Sequence, residues 1–283
     1  MSKLIQMRQR IKAIETIKKI THAMRLISMS SHTQLRNKKT VLNEYQTALN
    51  NLFHNLYSNT KQWHHYLFFP EQNKEFTHTI LIIIGSQKGL CGSFNTNLFT
   101  FFEKDIIQKK YKNISLILIG KKATDYFQET HYSIIQSFPT VNSKTMLSIA
   151  EEIINKIMQQ PLPLSTIVYS NTPHSFFIQK SIFSFLIPLT VPNSSAQTTS
   201  LQEKPQWEQP VADILLQCAQ SLAICNLQKI ILDSLIAEQA ARFVAMDSST
   251  RNAKNVLAEM QLEYNKTRQA LITRELTDLS GSF

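Results

Sequence analysis

The stretch that decides the fold is AEQAARFVAMDSSTRNAKNVLA, residues 237–258, which combines helix-forming residues with small side chains and contains no helix breaker. It lies inside residues 211–280, which contain neither glycine nor proline, and residues 1–69 lack both as well. Glycine and proline destabilise a helix interior by about 1 and 3 kcal/mol, so both runs are predicted to be long helices. The small side chains allow a second helix backbone to approach closely.

The first run carries apolar residues at helical spacing along one narrow stripe, with basic and polar residues on its other faces. A stripe of this width needs one partner helix, and the C-terminal run can supply it. We therefore predict an antiparallel coiled coil made from the two ends of the chain. An ordinary helical bundle is the alternative. The stripe consists of Leu4, Met7, Ile11, Ile14, Ile17, Ile20, Met24 and Ile27.

The middle of the chain holds four of the five glycines and all nine prolines. Short apolar runs in this part alternate with stretches of helical pattern, which is typical of βαβ units with a parallel sheet. The predicted strands are residues 79–84, 113–119 and 166–169, and the predicted helices are residues 97–110 and 146–160.

The fold class is therefore predicted to be α/β, a long antiparallel coiled coil of the two terminal helices plus a Rossmann-like α/β middle domain. The expected boundaries are 1–69 for the N-terminal helix, 70–210 for the globular domain with a polar linker at 194–208, and 211–283 for the C-terminal helix. The sequence shows no signal peptide and no apolar run that fits a membrane span, so we expect a cytosolic or peripheral protein.

The positive charge is concentrated at one end of the chain. Residues 1–40 carry ten basic residues and one acidic residue, which accounts for nearly all of the net charge of +10. A basic helix of this kind can face nucleic acid, an anionic membrane surface or an acidic protein, and composition leaves the three open.

The loop Gly85-Ser-Gln-Lys-Gly89-Leu-Cys91-Gly92-Ser follows a predicted strand, where nucleotides bind in many α/β proteins. Its glycine spacing fits neither the P-loop nor the dinucleotide fingerprint, so we interpret it as a tight strand-to-helix turn. Cys91 has no histidine or acid tied to it by a motif, and the histidines and cysteines show no metal-binding spacing. We therefore expect no catalytic residue, no cofactor and no metal site.

Three motifs resemble one family, the gamma subunit of bacterial F-type ATP synthases. They are residues 17–24 (IKKITHAM), the turn at residues 89–97 (GLCGSFNTN), and a long ungapped C-terminal match beginning EQAARFVAM at residue 238 and ending at residue 277. The resemblance implies a non-catalytic central-stalk rotor that couples ion flow, expected to be of protons, to ATP synthesis. It further implies a peripheral location on the cytoplasmic face of the bacterial inner membrane.

The resemblance also implies partners and contact residues. Expected partners are three alpha and three beta subunits, the epsilon subunit and the membrane c-ring, with no nucleic acid and no small-molecule substrate on this chain. The turn residues are expected to be structural, and departures at His22, Arg25 and Gln87 suggest a divergent complex. The residues expected to contact the catch loops and acidic segments of the beta subunits are Lys18, Lys19, Met24, Arg242, Gln269 and Thr273.

Two other functions remain open on the sequence alone. A free-standing coiled-coil interaction protein would need neither the Gly89–Gly92 turn nor the long C-terminal match. A Rossmann-like enzyme that binds a small molecule would need a convergent polar site, and specific nucleotide binding by the chain would favour it.

Overall fold

The computed structural model of the chain describes residues 2–58, 65, 67–68, 78–109, 111, 113–160, 164–189 and 210–280. The linker expected at residues 194–208 lies outside this part of the chain. The elements, in order, are α1 (Ser2–Ser58), β1 (His78–Ile84), α2 (Phe94–Lys109), β2 (Ile114–Ile119), α3 (Lys121–Phe127), β3 (Ser133–Phe138), α4 (Met146–Met158), β4 (Leu164–Pro173), β5 (Gln179–Ile187) and α5 (Val211–Ser280).

The chain divides into two compact units. Unit 1 contains residues 1–30 and 242–283, and unit 2 contains residues 31–241. The two long helices contribute residues to both units. The boundaries at 69 and 210, drawn from the positions of glycine and proline, remain a prediction about domain organisation.

The five strands of unit 2 form one sheet in the order β3-β2-β1-β4-β5. β1 is central and pairs in parallel with β2 and β4, and β2 pairs in parallel with β3. β5 runs antiparallel to β4, so the expectation of a parallel sheet is wrong for this strand. The pair Pro173 and Gln179 leaves only a short hairpin between the strands, and a parallel crossover needs a dozen residues or more.

Both faces of the sheet are covered, because successive strand residues point to opposite sides. Leu81 and Ile83 face a core formed with α2 and α3. Ile80, Ile82 and Ile84 face a second core formed with α4 and with the unit 2 portions of α1 and α5. The predicted strands and helices of the middle are confirmed to within a few residues, whereas α3, β3 and β5 are additional.

α1 carries one buried or half-buried residue at alternating steps of three and four, a regular 3.5-residue repeat typical of a coiled-coil seam. We call these positions the α1 seam. Its members in unit 1 are Leu4, Met7, Ile11, Ile14, Lys18, Thr21, Arg25 and Ser28, and in unit 2 they are His32, Leu35, Lys39, Leu42, Gln46, Leu49, Phe53 and Leu56.

The apolar stripe expected from the sequence is therefore wrong at Ile17, Ile20 and Ile27, whereas Met24 is half-buried. Ile17, Ile20 and Ile27 are 52%, 54% and 64% exposed. Three consecutive steps of three residues rotate the stripe off the seam, because a helix needs about 3.6 residues per turn. Lys18, Thr21 and Arg25 occupy the seam instead.

Polar contacts show that α1 and α5 are antiparallel within each unit. In unit 1, Arg25 Nη1 lies 2.6 Å from Asp247 Oδ1, and the hydroxyls of Thr21 and Thr250 are 2.9 Å apart. In unit 2, Lys39 Nζ lies 2.5 Å from Asp233 Oδ1, and Gln46 Nε2 donates to Asn226 Oδ1 at 2.6 Å. Residue numbers rise along α1 as they fall along α5, which confirms the predicted antiparallel pairing.

One helix in the described part of the chain, α5, is long enough to cross a membrane and contains a segment that is apolar enough to do so, with a mean hydropathy of 1.3. Of the residues in that apolar segment, 44% are buried inside the protein. Leu215, Leu222 and Leu232 belong to the core between α5 and the sheet. A core helix explains the hydropathy without a membrane.

Two glycines allow the carboxyl ends of β1 and β2 to meet. Gly120 has a φ of +93°, and a Cβ at this position would lie 2.2 Å from the carbonyl oxygen of Gly85. The backbone there is also fixed by hydrogen bonds, because the Gly85 amide donates to Ile119 O at 2.8 Å and the Gly120 amide donates to Phe138 O at 2.8 Å.

Replacing Gly120 with alanine is expected to lower the free energy of unfolding by about 3 kcal/mol, because it adds both a strained φ and a backbone clash. Gly89→Ala is the matched control, since its Cβ would meet nothing closer than Lys122 Cε at 4.0 Å. Urea unfolding of the full chain measures both. Equal losses in the two variants would contradict the close contact.

His32 links the α1 seam to the β4–β5 hairpin. Its ring is buried and meets the ring of Phe176 edge-on, with 5.0 Å between centroids. Burial, and secondarily the charge of Arg36, lowers the pKa of His32 below its ordinary value of 6.5. The folded state therefore favours the neutral imidazole.

The free energy of unfolding is expected to decrease as pH falls from about 7.5 to 5.5, because the unfolded chain then binds a proton that folded His32 resists. His32→Gln should make this decrease shallower. Identical pH profiles for wild type and His32→Gln would count against a buried neutral histidine.

Candidate functional site

The α5 half of unit 1 repeats the seam pattern of α1. Buried or half-buried residues again follow alternating steps of four and three, so each helix presents one narrow face to the other. The seam members on this part of α5 are Met246, Thr250, Ala253, Leu257, Met260, Tyr264, Thr267 and Leu271.

Large apolar side chains remain exposed on both helices of unit 1, outside the seam. Single exposed apolar residues are common on protein surfaces, but a set of this size on two paired helices is typical of an interaction surface. These residues are Ile5, Ile17, Ile20, Leu26, Ile27 and Met29 on α1, and Val256, Leu262, Ile272 and Leu276 on α5.

Basic side chains converge on an open groove of about 660 Å³ between α1 and α5 in unit 1. Lys18, Lys19 and His22 line it from α1, and Lys254 lines it from α5. Glu15 is the one acidic side chain in the lining. The groove therefore offers several cationic donors to a carboxylate-bearing partner.

The other expected contact residues are distributed along both helices. Met24 is half-buried, whereas Gln269 and Thr273 are exposed on successive turns of α5, where the Thr273 hydroxyl donates to Gln269 O at 3.0 Å. Arg242 is only 5% exposed. Lys18 and Lys19 line the same groove, whereas Arg242 is not one of its lining residues.

The turn between β1 and α2 is held by its own side chains. Asn95 Oδ1 accepts from the Ser86 amide at 2.9 Å, and Asn95 Nδ2 donates to Ser86 Oγ at 2.8 Å. Ser86 Oγ donates to Lys88 O at 2.9 Å, and Cys91 Sγ lies 3.4 Å from Asn95 Nδ2. The Ser86 amide, which could otherwise donate to an anion, is therefore already bonded to Asn95.

The turn adopts two left-handed residues, with φ values of 64° at Leu90 and 61° at Gly92. Between them, Cys91 points inward and is buried. Cys91 and Phe94 form a small apolar cluster with Ala237 and Ala241 of α5. The structural role expected for Gly89, Cys91 and Gly92 therefore stays a prediction, and this packing supports it.

The other two cysteines also lie inside the protein. Cys218 and Cys225 are buried on α5, and burial raises the pKa of both thiols. They behave as small apolar side chains. Among the described residues, no group of three or more histidine, cysteine or acidic side chains is placed to hold a metal ion.

A buried polar pair that sequence reasoning missed joins α2 to the sheet. The Tyr169 hydroxyl donates to Asp105 Oδ2 at 2.5 Å, and Lys109 Nζ lies 3.1 Å from the same oxygen. Burial, followed by the bond to Asp105, raises the pKa of Tyr169 well above its usual range. Asp105 gives no signal in the sequence, because a helical acid four residues before a lysine usually lies on a solvated face.

Comparisons with known proteins agree with one another along nearly the whole chain. A family model described as ATP synthase matches residues 3–283. The ATP synthase gamma chain of Fusobacterium nucleatum is 28% identical, with 98% of this chain and 96% of that protein covered. The gamma chain of Clostridium kluyveri is 29% identical with the same coverage.

Solved structures share the fold at lower identity. The rotor of the Euglena gracilis mitochondrial ATP synthase superimposes with a TM-score of 0.64 at 16% identity, covering 96% of this chain and 99% of that one. The central stalk and c-ring structure of the Tetrahymena thermophila mitochondrial ATP synthase gives a TM-score of 0.59 at 16% identity, covering 81% and 98%.

Ala241→Leu is expected to lower the free energy of unfolding by about 1–3 kcal/mol, because the added methylenes overpack the cluster with Cys91 and Phe94. Ala258→Leu, at an exposed position of the same helix, is the control and should change it by less than about 0.5 kcal/mol. Thermal unfolding of the full chain measures both. An Ala241→Leu variant as stable as wild type would exclude close packing of the turn against α5.

Proposed function

Because the chain belongs to the ATP synthase family and is homologous to its gamma chains, we propose that it is the non-catalytic central-stalk rotor subunit of a rotary ATP synthase. The observation that carries the proposal is the surface of unit 1. Two paired helices expose large apolar side chains there that no described residue of the chain covers. Neighbouring subunits would bury them.

The proposed partners are three alpha and three beta subunits around the helices, the epsilon subunit and the membrane c-ring. The solved relatives were determined as a rotor, a central stalk with c-ring, and an assembly with F1 and c-ring, which supports these partners. The chain would then be peripheral to the membrane, on the cytoplasmic face of the bacterial inner membrane.

In this function the chain transmits rotation and performs no chemistry. Ion flow, expected to be of protons, turns the stalk, and the stalk presents different side chains in turn to each beta subunit. A surface that contacts one conformation better than another shifts its neighbour towards that conformation. The faces of unit 1 differ in this respect, because Lys18, Lys19 and Lys254 share one groove while Ile20 and Ile27 are exposed apolar residues.

The residue-level contacts follow from the same proposal. Lys18 and Lys19 would meet acidic segments of the beta subunits, and Met24 would lie close to that contact. Gln269 and Thr273, which are exposed, would meet the beta catch loops together with Arg242. For Arg242, whose side chain is buried, contact would require a change in its surroundings on assembly.

A full chain with an affinity tag, expressed in its native host and recovered from solubilised membranes, tests the function. Three alpha and three beta chains per copy, with ATP hydrolysis in the eluate, are the expected result. Recovery of the folded chain without ATPase subunits would overturn the proposal.

The apolar surface is tested by a matched pair of double variants. Ile20→Gln with Ile27→Gln should reduce recovery of alpha and beta chains by about tenfold, since two buried apolar contacts are lost on assembly. Ile107→Gln with Leu147→Gln, exposed positions in unit 2, is the control. Both pairs should leave the unfolding temperature of the isolated chain unchanged. Equal recovery in both pairs would exclude this surface as the contact.

A further inference from the structure

The turn at residues 86–95 contacts both the sheet of unit 2, through hydrogen bonds, and α5, through the side chains of Cys91 and Phe94. Asn171, on β4, is buried, and its Nδ2 donates to the Phe94 carbonyl at 2.8 Å. Its Oδ1 accepts from Ser181 Oγ on β5 at 2.7 Å. Asn171 thus fixes the backbone of the turn at the residue whose side chain packs on α5.

The contact on α5 is specific for one face of that helix. Ala237 and Ala241 are one turn apart and therefore lie on the same face, where their small side chains accommodate Cys91 and Phe94. Their neighbours Glu238 and Arg242 are large and polar. Turning α5 about its axis by one residue would bring such a side chain against the apolar turn and clash with it.

Hydrogen bonds also hold the turn to β1 and α2. Ser86 follows β1 directly, and Asn95 ties it to the first turn of α2 by two hydrogen bonds. Asn171 adds β4 and β5. The turn is therefore anchored to three strands of the sheet, whereas α5 continues beyond Ala241 without interruption to Ser280.

We propose that this turn is a torque-transmitting contact, in which Asn171 and Asn95 are positioning residues that hold Phe94 and Cys91 against Ala237 and Ala241. The inference rests on the proposed rotor function. A rotating sheet domain can drive α5 only if the helix is prevented from slipping about its own axis. The apolar core between α5 and the sheet also resists this slipping, and the turn adds a contact at Ala237 and Ala241, the last part of α5 in unit 2.

The test uses the complete ATP synthase in inside-out membrane vesicles, with ATP hydrolysis and ATP-driven ion pumping measured on the same preparation. Asn171→Ala should reduce the ratio of pumping to hydrolysis by about threefold or more, because losing a buried hydrogen bond favours the undocked turn. Hydrolysis itself should remain within about twofold of wild type, because the variant leaves the catalytic subunits unchanged.

Two further variants separate coupling from stability. Ser181→Ala removes only the hydrogen bond to Asn171 Oδ1 and should give a smaller loss of coupling in a complex that assembles normally. Ile154→Val weakens the core of the same unit at a residue away from the turn and should leave the ratio unchanged.

The outcomes distinguish the two proposals. A wild-type complex that pumps ions, together with unchanged ratios in Asn171→Ala and Ser181→Ala, would overturn the torque contact while leaving the rotor function intact. Equal losses in Ile154→Val and Ser181→Ala would also overturn it, since general destabilisation would then explain the effect. A wild-type chain that supports no pumping would overturn the rotor function itself.

Discussion

The antiparallel pairing of α1 and α5 is the constraint on which the structure depends. These helices come from opposite ends of the sequence, so their pairing requires the intervening chain to return from the end of α1 to the start of α5. A helix that is isolated in water is only marginally stable. In a protein, most of a helix's stability comes from packing its apolar face against other elements. In unit 2 that packing involves the sheet and α4 as well as the partner helix.

The seam changes character along α1. In unit 2 it includes Leu35, Leu42, Phe53 and Leu56, all buried in the core. In unit 1 it passes through Lys18, Thr21, Arg25 and Ser28, of which Arg25 pairs with Asp247 and Thr21 contacts the Thr250 hydroxyl on α5. Half-exposed ion pairs such as Arg25 with Asp247 contribute little to stability in water. Several bulky apolar residues of unit 1, such as Ile17, Ile20 and Ile27, lie instead on its outer surface, where partner subunits can bury them.

The turn at residues 86–95 shows how a motif that resembles a phosphate loop serves packing. The Ser86 amide donates to Asn95 and the Ser86 hydroxyl donates to Lys88 O, while Cys91 and Phe94 pack on α5. The strained φ of Leu90 and the close approach at Gly120 belong to the same edge of the sheet, at the carboxyl ends of the strands. Many α/β proteins bind ligands at this edge. In this protein the turn at that edge packs against α5 through Cys91 and Phe94.

The sequence by itself determined the two long helices, their antiparallel pairing, the three main strands and the family. These rest on local signals, namely the absence of helix breakers, short β-rich runs and contiguous motifs. Only the tertiary structure decided which face of α1 forms the seam. Ile17, Ile20 and Ile27 are as apolar as Ile11 and Ile14, and only the regular repeat against α5 separates them.

The additional strands and buried polar pairs also depended on the tertiary structure. β5 is an edge strand with exposed aromatic residues, so its sequence lacks the apolar run that identifies β1, and its direction follows from the short hairpin. Asp105 and Asn171 look like ordinary surface residues until Tyr169 and the Phe94 carbonyl are brought beside them. Their partners are 64 and 77 residues away in sequence, and only the folded sheet brings them within hydrogen-bonding distance.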